Sequence, residues 1–216
     1  MKFLLFLLLE MENITTPIVS DSYTSISAPS EGSYKDRGSK FLSFAYRVDS
    51  EEEIKAIISK YKKDYYDARH VCFAYRLGRL GEKWRMNDDG EPSSTAGKPI
   101  YGQILSAGLS DILIIVIRYF GGTKLGVPGL IKAYKNAAAD AIMNTMTVTV
   151  YDTTEFIIKF EYKYMNDIMK LLKDLHITPS MQESGLDCEM KVEVKLNDQP
   201  RFRDMLKNIA TLLPKN

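Results

Sequence analysis

The sequence predicts an α+β chain in two units, and three observations carry that reading. Residues 112–117 are six apolar residues in a row, mostly β-branched and without alternation, which suits a strand covered on both faces. Leu130, Tyr134, Ala137, Ala138, Ala141 and Ile142 then recur at helical spacing, so the glycine-rich run at 121–129 is a strand-to-helix turn. From Thr147 the pattern resumes as strand, helix, strand, strand, helix, a split βαβ or ferredoxin-like order without a clear final strand.

Taken in order, the chain opens with residues 3–9, an apolar run after a single lysine. Glu10-Met11-Glu12 follows at once and no small-residue cleavage site appears, so residues 1–10 read as a mis-assigned start and Met11 as the working one; a true anchor or a poor signal is the alternative. The run is also shorter than the roughly 20 apolar residues a bilayer requires. Residues 13–38, rich in Ser, Thr and Pro, read as an extended arm, and residues 1–33 as an extension ahead of the first unit. Residues 40–48 have strand composition and end at Ser50-Glu51-Glu52-Glu53, a capping box. Ile54, Ile57, Ile58 and Tyr61 form the apolar stripe of the helix it opens, and Lys60, Lys62 and Lys63 complement its C-terminal dipole. Residues 68–77 return to strand, with Trp84-Arg85-Met86 as hairpin partner across the turn at 78–81. Ile100, Ile104 and Leu105 share a helical face that Ala107-Gly108 ends. In the second unit residues 148–162 read as one long strand, and Met165, Ile168, Leu172 and Leu175 as a helix stripe. Residues 178–184 and 188–196 read as strands around Gly185, and Phe202, Met205, Leu206 and Ile209 mark the last helix. The expected units are 34–146 and 147–216.

Composition narrows the function classes. With 45% hydrophobic and 26% charged residues the 216-residue chain is ordinary for a soluble protein and not disordered throughout. A formal net charge of +1 provides no bulk attraction to DNA, RNA or an anionic membrane, so a polyanion site must come from local clustering. Cys72 and Cys188 are far apart without zinc spacing, which favours reduced thiols in a cytoplasmic protein; neither a metal nor a cofactor is expected.

Two stretches carry candidate chemistry. In the acidic turn, Asp88, Asp89 and Glu91 are candidates for holding a divalent cation or for general acid and base work, although Asp-Gly and Glu-Pro form turns on their own account. Ser93 is a candidate nucleophile with His70 as a distant candidate base, and His70 in a strand is more often a packed histidine. The second stretch is the glycine turn, where Arg118, Gly121, Gly122, Lys124 and Gly126, with Thr95 and Lys98, are candidates for anion binding. A helix entry offers free N–H groups and a positive dipole end, while close backbone packing would require the same glycines. This is neither a Walker A loop, since Gly126 is followed by Val127-Pro128, nor a GxGxxG turn.

Residues 68–76, 88–93 with 95–99, and 118–126 with Gly129-Leu130 and Ala133-Tyr134 together resemble the Impact/YigZ family, over roughly residues 34–146. The βαββα tail is similar to the smaller C-terminal domain of bacterial members. The resemblance implies a first domain like domain two of ribosomal protein S5, followed by a ferredoxin-like domain. Two departures stand out: Ser94 occupies a position where the family usually has glycine, and Pro128 interrupts a usual Gly-x-Gly-Gly-Leu run. Eukaryotic relatives are linked to translational control through an additional domain absent here. The resulting expectation is a cytoplasmic, translation-linked binding protein whose groove takes RNA phosphate or a ribosome-associated partner, with neither DNA nor membrane as partner. An enzyme acting on a phosphorylated or acylated small molecule held by Lys124, or a ligand-free scaffold, are the alternatives.

Overall fold

The computed structural model describes residues 21–183 and 187–214; the apolar run at 3–9 and the reading of its start lie outside them. The first unit is built on a five-stranded antiparallel sheet in the order β2-β3-β6-β4-β5. Its strands are β2 (Ser30–Asp36), β3 (Ser39–Arg47), β4 (His70–Leu77), β5 (Lys83–Asn87) and β6 (Ile112–Tyr119). Helix α1 (Glu51–Asp64) covers one face, and α2 (Gly97–Ser106) and α3 (Gly126–Met143) cover the other.

The unbroken apolar run of β6 follows from this sandwich. Ile112, Ile114 and Val116 pack in the core beneath α2 and α3, Leu113, Ile115 and Ile117 in the core beneath α1, and all six are fully buried. The expected cap forms at Ser50, whose Oγ accepts from Glu53 N at 3.3 Å, while the return bond closes one residue earlier than in a capping box, Glu53 Oε2 accepting from Asp49 N at 3.1 Å.

The stretch read as an extended arm instead carries β1 (Ser22–Ile26) and β2. The apolar signal was missing because β2 turns small residues toward α3. A Cβ on Gly32 would sit 2.3 Å from Ala141 N, and Ser30 Oγ donates to Ala141 O at 2.7 Å. β1 pairs antiparallel with β7 (Thr147–Tyr151), so the start of the described chain and the stretch that follows α3 share a two-stranded ribbon.

The long strand expected at 148–162 breaks at Asp152, whose N donates to Asp21 O at 2.7 Å while its O accepts from Leu196 N at 2.9 Å. β7 leaves for β1, and β8 (Thr153–Glu161) enters a second antiparallel sheet, ordered β11-β8-β10-β9. The sequence order there is β8, α4 (Met165–Asp174), β9 (Met181–Glu183), β10 (Asp187–Lys195), α5 (Gln199–Leu206) and β11 (Thr211–Pro214). The unit therefore has the final strand that the sequence order leaves unclear, β11 pairing with β8 from Thr211 to Pro214. Alternation along β8 and β10 buries Phe156, Ile158, Phe160, Met190, Val192 and Val194 against Ile168, Leu171, Leu172, Phe202 and Leu206. The opposite face carries cross-strand ion pairs, Lys159–Glu189 at 2.8 Å and Lys191–Glu155 at 2.5 Å.

Candidate functional site

The five-stranded sheet brings separated stretches together at one end. His70 opens β4 and stands directly opposite Arg118, near the end of β6, so both side chains leave the sheet on the face covered by α2 and α3. The acidic turn and the loop into α3 rise around them and enclose a cavity of about 510 Å³, lined by Arg69, His70, Glu91, Arg118, Phe120, Lys124 and Gly126 among others.

Its floor is a buried polar network. Glu91 Oε1 accepts from Arg118 Nη1 at 2.6 Å and from the Tyr134 hydroxyl at 2.7 Å, and His70 Nε2 lies 3.9 Å from the same oxygen. Burial pushes the Tyr134 phenol far above the ordinary tyrosine range, with Cys72 and Glu91 beside it adding to the shift. The Cys72 thiol, 3.4 Å from that hydroxyl, is pushed up by burial as well. His70 Nδ1 sits 2.8 Å from Asp89 O. A carbonyl only accepts, so Nδ1 carries the proton and Nε2 faces Glu91 and the cavity.

The floor is close to charge-neutral, because Glu91 answers Arg118. The rim is not. Exposed Arg69 and Lys124 add two positive charges, and the N-terminus of α3 points into the cavity with no side chain capping it. Gly126 adopts φ 72°, the left-handed backbone with which the loop turns into the helix. Arg118 Nε is buried without a hydrogen-bond partner among the described residues, and the guanidinium lies 5.6 Å from the Phe41 ring centroid and 5.7 Å from that of the half-exposed Phe120.

Of the residues singled out from sequence, His70, Glu91, Arg118, Lys124 and Gly126 thus meet in one cavity. The others do not line it. The Asp88 carboxylate accepts from Ser94 N, Ala96 N and Gly97 N at 2.8, 3.0 and 2.8 Å, and so caps α2 from a distance, as Ala96 at the helix start has no capping side chain. Asp89 accepts from Val71 N at 2.8 Å and from Lys62 Nζ at 2.7 Å. Both aspartates shape the turn rather than face a ligand. Ser93 is exposed and outside the cavity, and the Thr95 hydroxyl is buried and donates to Pro92 O at 2.6 Å. Lys98 is exposed on α2. Gly121 is required for packing, since a Cβ there would sit 1.8 Å from Gly38 C, whereas Gly122 has φ 86° and open space around it. Ser94 has φ 63° and stands in the left-handed region as serine.

Arg69, Phe120 and Tyr134 are not among the candidate site residues read from the sequence. Tyr134 had a signal: it is the one phenol in an otherwise alanine-rich buried stripe, and a buried hydroxyl needs a partner. Among the described residues no group of three or more His, Cys, Asp and Glu side chains is placed to hold a metal ion. No described helix is long and apolar enough to cross a membrane.

Residues 37–142 match the Impact N-terminal domain. IMPACT family member YigZ of Escherichia coli (strain K12) is 35% identical over 136 residues, covering 62% of this chain and 67% of that protein. The chain belongs to the Impact family. A further Impact family member, from Thermus thermophilus, is 36% identical over 139 residues, covering 64% of this chain and 74% of its own length. Both units have a structural counterpart. A crystal structure described only as that of a hypothetical protein aligns over 92% of this chain and 99% of its own with a TM-score of 0.66 at 26% identity.

Proposed function

We propose that this Impact-family chain is a translation-linked regulatory protein that holds an RNA phosphate in the cavity at the entry to α3. The observation that carries the reading is the arrangement of charge. Among the described residues Glu91 is the only carboxylate lining the cavity and is already neutralised by Arg118, while Arg69, Lys124 and the uncapped helix N-terminus leave the opening positive. Phe120 on the rim, 47% exposed, offers a ring on which a base can stack. The translational link rests on family kinship, and a ribosome-associated protein with an acidic surface is the neighbouring reading of the same opening.

The order β-α-β-β-α-β with strands arranged fourth, first, third, second supports a ferredoxin-like second unit, and the sheet layered between one helix and two is compatible with the domain of ribosomal protein S5 that the resemblance implies. The ion-paired open face of the second sheet is a poor RNA platform, which directs the search for the nucleic-acid contact to the first unit. A cytoplasmic location accords with two buried free cysteines.

One observation favours an enzymatic reading: His70 turns Nε2 to the cavity and is oriented through Nδ1 by the Asp89 carbonyl, as a general base would be. In that case the substrate is a phosphorylated or acylated small molecule lying between His70 and Lys124. Fluorescence anisotropy with a labelled single-stranded RNA, with and without a 5′-phosphate and over a salt series, separates the readings. RNA binding that falls with salt and is lost in Arg69→Ala/Lys124→Ala supports the proposal. Binding untouched by that double change refutes it.

A further inference from the structure

We propose that the chain has a second binding site, on the opposite face of the sheet from the cavity, where an acidic extended peptide adds as a strand to β5. Strand β5 ends the five-stranded sheet, and no described strand lies on its outer side. Half of its backbone N–H and C=O groups therefore face outward as a template for one more strand.

Alongside this edge a groove of about 510 Å³ runs between β5 and α1. Its base is apolar, with Ile54, Phe73 and Tyr75 buried in the core beneath α1. Among the described residues four cations line it, Lys55, Lys62, Lys63 and Arg85, against the single carboxylate Glu51. That carboxylate is engaged: it accepts the Tyr75 hydroxyl at 2.5 Å. Lys62 pairs with Asp89, whereas Lys63 and Arg85 have no ion-pair partner among the described residues. In register, Arg85 lies opposite Tyr75 and Asn87 opposite Phe73, so Arg85 projects on the groove side. Trp84 and Met86 project on the other side, where Trp84 stacks on Tyr101 at 5.3 Å.

Charge complementarity selects the occupant. A second copy pairing antiparallel about the centre of β5 would set Arg85 against Arg85, which opposes self-association. An added strand with acidic side chains on the groove side meets Arg85 and Lys63, while its alternate residues lie beside Trp84 and Met86. A nucleic acid would answer the cations but leave the strand edge unused.

Trp84 is the sole tryptophan and is 52% exposed, so its emission reports occupancy of this edge directly. The probes are a capped peptide of about nine residues alternating Glu and Val, its Lys-for-Glu counterpart, the Glu peptide N-methylated on either alternate set of amides, and a short oligouridylate. Strand length follows the usual range for one edge pairing. The expected result is a saturable change in Trp84 emission with the Glu peptide. Affinity should fall at least tenfold for the Lys peptide, for one of the two N-methylated peptides, and in Lys63→Glu/Arg85→Glu, whose exposed positions leave near-ultraviolet circular dichroism unchanged. An unchanged Trp84 emission, equal binding of both N-methylated peptides with the parent peptide, binding retained by the charge-reversed variant, or a Trp84 response to oligouridylate alone would each overturn the proposal.

Discussion

Replacing Glu91 by Leu should be among the most damaging single changes in the first unit, and the structure bounds the loss. The Glu91 side chain is 3% exposed and that of Arg118 9%, with 2.6 Å between the paired atoms. Removing one member of such a pair leaves a buried, uncompensated charge, at a cost of about 3–5 kcal/mol. The Tyr134 hydroxyl loses its carboxylate acceptor too, which adds about 1–3 kcal/mol. Arg118 borders the cavity, so water reaching its guanidinium offsets part of this, and a net loss of about 4 kcal/mol is expected. The double change Glu91→Leu/Arg118→Met removes both charges and should cost far less than the two single changes summed, a coupling of roughly 2–3 kcal/mol. Urea unfolding followed by Trp84 fluorescence, which reports on the five-stranded sheet itself, measures each term. With a denaturant slope of about 1–3 kcal/mol/M, the single variant's midpoint should drop by more than about 1 M. A Glu91→Leu protein as stable as the parent, or costs that simply add, would show that the pair is not the dry, mutually dependent element described.

Four other outcomes follow from particular contacts. Lys124→Ala should weaken RNA binding by roughly 1–3 kcal/mol with little change in melting temperature, while Asp89→Asn, which keeps an acceptor for Val71 N outside the cavity, should bind as the parent does in the same anisotropy titration. Asp88→Ala frees three amides at the start of α2 and should cost about 2 kcal/mol in urea unfolding, without altering affinity beyond what unfolding explains. The phenols of Tyr23, Tyr61, Tyr75 and Tyr134 are all raised by burial, Tyr75 to about 12. A raised folded-state value is stability present below the unfolded value near 10 and lost as pH climbs past it, so alkaline unfolding should begin near pH 10 and coincide with tyrosinate absorbance. If the units divide after Met146, a chain ending there should keep near-ultraviolet circular dichroism through the five-stranded sheet yet lose the partner of β1, exposing 22–26 to proteolysis; a molten spectrum would place the boundary elsewhere.

The fold was legible wherever burial is apolar and regular. β6, α1, α3 and the helices of the second unit each carry a stripe or run that matches what they pack against. It was illegible where burial is achieved by small or polar residues. Ser30 and Gly32 bury β2 through a hydroxyl bond and a backbone approach to α3, which no hydropathy pattern records. The break at Asp152 was hidden for a related reason: β7 and β8 have the same strand composition, and only their hydrogen-bonded partners, β1 for one and β10 for the other, tell them apart.

The candidate site shows the same division at the level of single atoms. Lys124 and Gly126 could be placed at a helix entry because the strand-to-helix transition around them is local in sequence. The acidic turn could not be sorted from sequence, since Asp88, Asp89 and Glu91 are chemically alike and differ only in what long-range packing sets before them. Asp88 meets three amides at the start of α2, Asp89 meets an amide at the start of β4 and a lysine of α1, and Glu91 meets Arg118, Tyr134 and His70. Carboxylates occupied by backbone donors are structural whatever motif contains them, and the one turned toward titratable side chains in a cavity is where binding or catalysis must be sought. Two aspartates that hold the turn are therefore the reason Glu91 and the His70 ring stand where they do: Asp89 supplies the carbonyl that orients His70, and Asp88 fixes the helix start beside it. The Asp89 carbonyl belongs to the backbone and survives a side-chain change, so loss of either carboxylate should register as lost stability, and in the cavity only as far as the turn itself gives way.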